Sequence, residues 1–283
     1  MKVLLTGGTG YIGSTVLEAL VAAGHRVTAV VRSHAASLQV TDQGATGIIG
    51  DLFDAPWLAT ELRGHDAAIH LAGSSDASDE ALNASVISAA ISAFAGTDRA
   101  FLHTGGIWVY GDDCAISEDH EPHPPAIMAW RPAEERHLLE SGIRASVIQP
   151  GIVYGRGGGI PEMLVEASAD GALILPGRGD QHWTTVHIDD LAELYLRALG
   201  QAPGGKAYIA VSGDNPTVLE LGKALVDTVV PETPESTIER LGAFGAALLL
   251  DQQASGTRAR QELGWLPTRP SLIELFRAGY DCR

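Results

Sequence analysis

The chain is poor in lysine, in cysteine and in long apolar runs, and it lacks any excess of positive charge. Its 283 residues carry 19 Lys and Arg against 35 Asp and Glu, a formal net charge of −16. A duplex-binding protein needs a basic face, and an anionic membrane attracts basic segments. Neither nucleic acid nor a membrane is therefore an expected partner. The two cysteines, Cys114 and Cys282, stand far apart with neither disulfide-framework nor metal-ligand spacing. No metal site is expected, and a reducing cytoplasm fits best. No stretch approaches the ~20 apolar residues that cross a bilayer. Met1–Leu5 runs straight into Thr6-Gly7-Gly8, so it reads as a first strand rather than a signal segment. The absence of a Gly-x-Ser-x-Gly elbow argues against a Ser-His-Asp hydrolase.

What is present is alternation. Short apolar runs at Val3–Leu5, Val27–Val31, Gly47–Ile49, Ala67–Leu71, Ala100–His103 and Ala145–Ile148 predict strands. Between them Ser14–Ala23, Trp57–Leu62, Ala81–Phe94 and Ala133–Leu139 predict helices. This alternation predicts an α/β fold, a Rossmann-type doubly wound parallel sheet covered on both faces. After Pro150 the pattern loosens. Helices are expected at Ile188–Leu199, Val218–Val226, around Leu241–Leu250 and at Ser271–Ala278. The expected division is a nucleotide-binding domain over 1–150, with 184–212 returning to it. Residues 151–183 and 213–283 then form a smaller, mostly helical substrate lobe. Asp112–Pro125, rich in Asp, Glu, His and Pro, reads as an irregular loop. His120 and His123 within it are metal-ligating types at an unspecific spacing, which a solvated loop explains better.

The segment Thr6-Gly7-Gly8-Thr9-Gly10-Tyr11-Ile12-Gly13 follows the first strand and opens a helix. That is the setting of a dinucleotide fingerprint. Gly7 allows the tight turn, Gly10 leaves room for a pyrophosphate, and Gly13 lets helix and strand pack closely. Amides at the helix start, Tyr11 and Ile12 among them, face the phosphates. At the end of the next strand Val31 occupies the place where a carboxylate would bind a ribose 2′-hydroxyl. Arg32 follows it and can fork onto a 2′-phosphate. This favours NADP(H) as cofactor, with NAD(H) the alternative.

With these residues in view, the chain resembles the short-chain dehydrogenase/reductase superfamily, in its extended, NAD-dependent epimerase/dehydratase-like branch. The resemblance rests on Thr6–Gly13, Gly50-Asp51-Leu52, His70-Leu71-Ala72-Gly73, Val109-Tyr110-Gly111-Asp112, Gln149–Gly155, Val186–Ala192 and Glu262–Pro267, in order over nearly the whole chain. It implies that Asp51 and Leu52 lie near the adenine and that Leu71, Ala72 and Gly73 pass along the cofactor. It places Gln149, Pro150, Gly151 and Val153 near the nicotinamide, with Gln149 standing where the family often has Arg. It implies a homodimer as well. His187 reads either as a site residue or as the cap of the helix from Asp189.

The chain departs from that family's Tyr-x-x-x-Lys pair. Its only lysines are Lys2, Lys206 and Lys223, and Ala202 and Leu219 stand four residues before the last two. By position Ile127 takes the Tyr place and Arg131 the Lys place, or Ala126 and Trp130 one register away. Arg131 is the retained basic candidate, for cofactor ribose or a substrate anion, but Arg stays protonated and is a poor proton donor. Thr104 is the nearest candidate hydroxyl, unless Gly106 holds that place, and Tyr110 is a candidate substitute phenol. Trp108, Trp130, Tyr154, Met163 and Trp183, with Arg156 and Arg178 on glycine-rich loops, are the expected substrate-pocket residues, suited to a small, partly apolar molecule. The function expected is an NADP(H)-dependent oxidoreductase acting on a carbonyl or alcohol by a non-standard proton transfer. A non-redox isomerase, dehydratase or cyclase in the same pocket, or a redox-silent NADP(H)-sensing binding protein, is the alternative.

Overall fold

The structure is a computed structural model that describes residues 1–74 and 76–280. Cys282 lies outside the described residues, and Cys114 is exposed. The first half contains β1 (Lys2–Thr6), α1 (Tyr11–Ala22), β2 (Arg26–Val31), α2 (His34–Asp42), β3 (Thr46–Ile49), α3 (Ala55–Arg63), β4 (Ala67–His70), α4 (Asp79–Phe94), β5 (Ala100–Thr104), β6 (Asp113–Ile116), α5 (Arg131–Leu139) and β7 (Ala145–Pro150). The second half contains β8 (Ile152–Tyr154), α6 (Ile160–Ala167), β9 (Ala172–Ile174), β10 (Thr185–His187), α7 (Ile188–Gln201), β11 (Lys206–Ala210), α8 (Val218–Leu225), β12 (Thr228–Val230), α9 (Pro234–Leu248), β13 (Gln252–Ala254), α10 (Thr257–Leu263) and α11 (Leu272–Arg277). Single 3₁₀ turns cover Ile107–Tyr110 and Ala126–Met128.

Seven strands form one parallel sheet in the order β11-β7-β5-β4-β1-β2-β3. Strand side chains alternate between its two faces. Val3 and Leu5 pack with α1 and α7, whereas Leu4 packs with α3 and α4. Because both faces are covered, the strands read as unbroken apolar runs. Each fully buried Leu or Val contributes roughly 1.5–3 kcal/mol of hydrophobic stabilisation. The strand order reverses beside β1, with β2 on one side and β4 on the other. Ligands of open α/β sheets bind outside the strand ends at such a switch point.

α7 and β11 pack on this sheet although they follow the first lobe in sequence. Ile152, Leu164, Leu173, Trp183, Leu221 and Phe276 centre a separate core in the second lobe. The boundary drawn at 213 puts α10 and Trp265 in that lobe; the structure packs both against α7 on the sheet's flank. Trp265 is fully buried, and its Nε1 donates to the Asp190 carbonyl at 2.8 Å. A seven-residue helix shows an apolar face but not which core receives it. α2 has no counterpart among the expected helices, because only Val40 of its nine residues is buried.

The sheet centre holds two histidines side by side, His70 on β4 and His103 on β5, stacked at 5.4 Å. Asn83 Nδ2 donates to the Asp79 carbonyl, which leaves Asn83 Oδ1 to accept from His70 Nε2 at 3.2 Å. His70 Nδ1 then accepts from the Thr6 hydroxyl at 2.6 Å. Burial pushes His70 down from 6.5 to about 4 and His103 in the same direction. Both imidazoles are thus neutral in the fold and prefer protonation when unfolded. The His70 contribution is fully present above about pH 6.5 and is lost as pH falls through about 4, and that of His103 has the same sign. Denaturant titrations across that window should show wild type losing about 3 kcal/mol more than His70→Gln; a parallel pH course for the two proteins would contradict this.

Candidate active site

The turn from β1 into α1 is built by steric constraint. Gly7 has φ +75°, and a Cβ on it would stand 2.5 Å from the Leu71 carbonyl carbon. A Cβ on Gly13 would fall 1.9 Å from the Gly7 oxygen. Only glycine lets the turn lie against both β4's end and its own helix. Gly10 is different, since a Cβ there would meet nothing nearer than the Gly7 oxygen at 3.3 Å. Gly10 is also the N-cap of α1, and no side chain caps that helix. By contrast α2, α3, α8, α9 and α11 are capped by Ser33, Asp54, Thr217, Thr233 and Ser271. The first amides of α1, at the positive end of its dipole, face the cleft.

That cleft has a volume of about 570 Å³. Gly7, Thr9, Gly10, Tyr11, Ile12 and Gly13 line one side of it. Arg32, Asp51, Leu52, Leu71, Ala72 and Gly73 also line it. Arg32 is exposed and is the one Lys or Arg among the described lining residues. Phe53, Ser74, Asp76, Ser78 and Leu82 complete the wall, and no motif singles them out. Uncapped amides, a side-chain-free approach at Gly10 and a long groove together fit a dinucleotide.

A second chamber of about 280 Å³ adjoins the cleft, and Tyr11 and Ile12 belong to both. Ile107, Trp108, Met128, Ile152, Val153 and Ile160 give it an apolar lining, with Thr104, Arg131, Pro150 and Gly151. The Arg131 guanidinium is fixed by Asp79 Oδ2 at 3.1 Å, the Thr104 carbonyl at 3.3 Å and Met128 Sδ at 3.2 Å. Its carbon lies 4.5 Å from the Trp130 ring centre. Asp79 Oδ1 also accepts from the Ser74 amide at 3.0 Å, so one carboxylate ties Arg131 to the cleft's edge.

Other candidates lie elsewhere. The Thr104 hydroxyl donates to the His70 carbonyl at 2.8 Å, so its contact with Tyr195, at 2.7 Å, uses the Tyr195 proton. It is therefore occupied inside the sheet, and Gly106 stands at the chamber wall, where a Cβ would meet nothing within 4 Å. The Tyr110 hydroxyl donates to Gln149 Oε1 at 2.8 Å, away from the chamber lining. Burial first, then the Glu135 charge, raises its pKa further, the wrong direction for an acid working near neutrality. Ile127 is exposed and Met128, its neighbour, lines the chamber. Tyr154 and Trp183 sit in the second lobe's core, donating to the carbonyls of Pro270 and Leu248. Met163 and Arg178 are exposed. His187 caps α7, accepting from the Asp189 amide at 3.1 Å. Among the described residues no group of metal-ligating side chains comes together.

Two features have no sequence signal. The loop after β8 is fastened over α1 by the Tyr11 hydroxyl donating to the Gly155 carbonyl at 2.7 Å. Arg156, expected at the substrate pocket, lines neither cleft nor chamber; with φ +52° it pairs with Glu18 on α1 and with Asp189 at 2.7 Å, a fastening the sequence does not show. Glu135, 5% exposed, accepts from Gln149 Nε2 at 2.8 Å, and burial raises its pKa from 4.5 to about 7.

A doubly wound parallel sheet with a glycine turn opening on its switch point, and an apolar chamber beside it, is the architecture of a dinucleotide-fold enzyme. The comparison with known proteins sharpens that class: the profile of the NAD dependent epimerase/dehydratase family matches residues 3–210, and the chain belongs to this family. It is 30% identical to an uncharacterized protein of Schizosaccharomyces pombe over 96% of this chain and 97% of that one. It is 30% identical to the 2-alkyl-3-oxoalkanoate reductase of Stenotrophomonas maltophilia over 86% of this chain and 82% of that one. Among solved structures, the dTDP-glucose 4,6-dehydratase DesIV of Streptomyces venezuelae, with NAD and TYD bound, superposes with a TM-score of 0.78. It is 22% identical and the match covers 99% and 98% of the two chains.

The glycines separate folding from binding. Gly10→Ala should lower Tm only slightly, because its Cβ meets the Gly7 oxygen at 3.3 Å, while lowering dinucleotide affinity about tenfold or more, because the ligand's approach is obstructed. Gly13→Ala should lower Tm and affinity together, since the turn itself must shift. Thermal melts beside fluorescence titrations check both, and equal Tm losses would refute the distinction.

Proposed function

We propose that the protein is an NADP(H)-dependent oxidoreductase acting on a small, partly apolar carbonyl or alcohol substrate. The observation that carries this reading is the joining of cleft and chamber at Tyr11 and Ile12. A nicotinamide bound there supplies or accepts hydride. Structural neighbours with bound NAD support a nicotinamide cofactor. Arg32, exposed in the cleft beside the buried Val31, supports a 2′-phosphate over a bare hydroxyl.

The chamber's chemistry supports the substrate class. Ile107, Trp108, Ile152 and Val153 exclude water and offer apolar contact. The charge of Arg131 is balanced by Asp79, so among the described residues the chamber lining offers no unpaired cation for a diphosphate. That favours a small carbonyl compound over a sugar nucleotide, and similarity to an oxoalkanoate reductase points the same way. With the Thr104 hydroxyl occupied and no phenol at the Ile127 place, the proton comes from water, from a substrate group or from another side chain.

Wild type should bind NADPH more tightly than NADH. Arg32→Glu should weaken NADPH binding roughly 10–100-fold and barely alter NADH binding. Nicotinamide absorbance across a panel of carbonyls and alcohols tests turnover. Product without net cofactor change would replace this reading by an isomerase or dehydratase, and tight binding without any turnover by a sensor.

A further inference from the structure

Behind the floor of the apolar chamber stands the carboxyl of Glu135. It lies on α5, one turn beyond Arg131, and is 5% exposed. Its Oε2 accepts from Gln149 Nε2 at 2.8 Å, and Gln149 is oriented by the Tyr110 hydroxyl donating to Oε1 at 2.8 Å. Its Oε1 has no partner among the described residues. That oxygen presses on Gly105, where a Cβ would stand 2.3 Å from it. Gly105 and Gly106 are chamber wall. One side-chain-free residue of backbone thus separates the carboxyl from the chamber.

Gln149 and the Arg131 charge favour the carboxylate, but burial outweighs them. On its own helix, Arg131 is committed to Asp79 of α4, to the Thr104 carbonyl and to Met128. On β7, Gln149 offers one uncharged donor. Beyond Tyr110 lie Glu118 and Arg258, which pair with each other at 3.8 Å. A buried carboxylate with one amide donor is costly, so the neutral acid is retained up to about pH 7.

We propose that Glu135 is a positioning residue for charge in this pocket, and that the working form of the site is the one in which its carboxyl keeps the proton. The inference rests on the oxidoreductase reading, in which the substrate oxygen becomes negative as hydride arrives at or leaves its carbon. With Glu135 neutral, the floor at Gly105 and Gly106 accepts that charge. With Glu135 ionised, a second negative charge faces it across a single residue in a low-dielectric site. Burial sets the transition at about pH 7. Below it the site works, and above it turnover falls.

The test compares wild type with Glu135→Gln, an isostere that cannot ionise. The ratio of kcat values, variant over wild type, should rise tenfold or more between pH 6 and pH 8.5, with the KM for substrate moving little. Gln149→Met removes the hydrogen bond that lowers the Glu135 pKa, so its alkaline limb should move to higher pH. Without any substrate, carbon-13 NMR of the labelled glutamate carboxyls should show one signal titrating near pH 7 that Glu135→Gln removes. A flat kcat ratio in folded variants, or a Glu135 signal titrating in the ordinary carboxylate range, overturns the proposal. Failure of every carbonyl and alcohol to turn over would instead sink the oxidoreductase reading, and the NMR titration would still decide whether the carboxyl holds its proton.

Discussion

The contact on which the rest of the structure depends is backbone against backbone, where the turn after β1 meets the end of β4 and the start of α1. Gly7 and Gly13 allow it, since side chains there would overlap the Leu71 carbonyl carbon and the Gly7 oxygen. This closeness aims the uncapped end of α1 at the switch point. The Thr6 hydroxyl secures the arrangement from within, accepting from the Leu71 and Ala72 amides at 3.3 and 3.4 Å while donating to His70. From His70 the bonds continue through Asn83 to Asp79, and Asp79 holds Arg131. The phosphate turn and Arg131 of the chamber are thereby ends of a single hydrogen-bonded chain.

The interior around that chain is short of net charge, in a molecule that carries −16 overall. Two histidines are neutral, Arg131 is balanced by Asp79, and Glu135 is held near its titration point by burial. Neutral interiors suit a site that must receive an anionic cofactor against an unfavourable long-range field. On the reading proposed, local donors, the α1 amides and Arg32, decide the binding, while distant acidic residues are screened by salt.

The fold was legible because burial on both sheet faces leaves a continuous apolar signature in each strand. Strands β1, β2, β4, β5 and β7 all carry it. The three-residue strands β8, β9, β10, β12 and β13 are too short to show any period. The glycine turn was legible because backbone constraint leaves a residue-type signature. Aromatic side chains leave none: Trp108 lines the chamber while Tyr154 and Trp183 fill a core, and composition does not distinguish them. Glu135 was hidden for a similar reason. Glu134 and Glu135 are adjacent on α5, and only packing decides that the second turns inward.

The loss of the family's Tyr and Lys is compatible with an intact site because position and chemistry separate there. Arg131 keeps a cation near the Lys place, yet it is bonded on three sides and has no proton to give. Ile127 turns outward, so nothing polar replaces the phenol from that helix. What the chamber retains is shape, an apolar lining and a carboxyl one residue behind its wall. Hydride transfer needs the first two from the protein, because the reactive carbon belongs to the cofactor. The remaining demand is where negative charge on a substrate oxygen is tolerated. In this structure that demand falls on Gly105 and Gly106, whose missing side chains make the wall thin enough for a buried group to be felt through it.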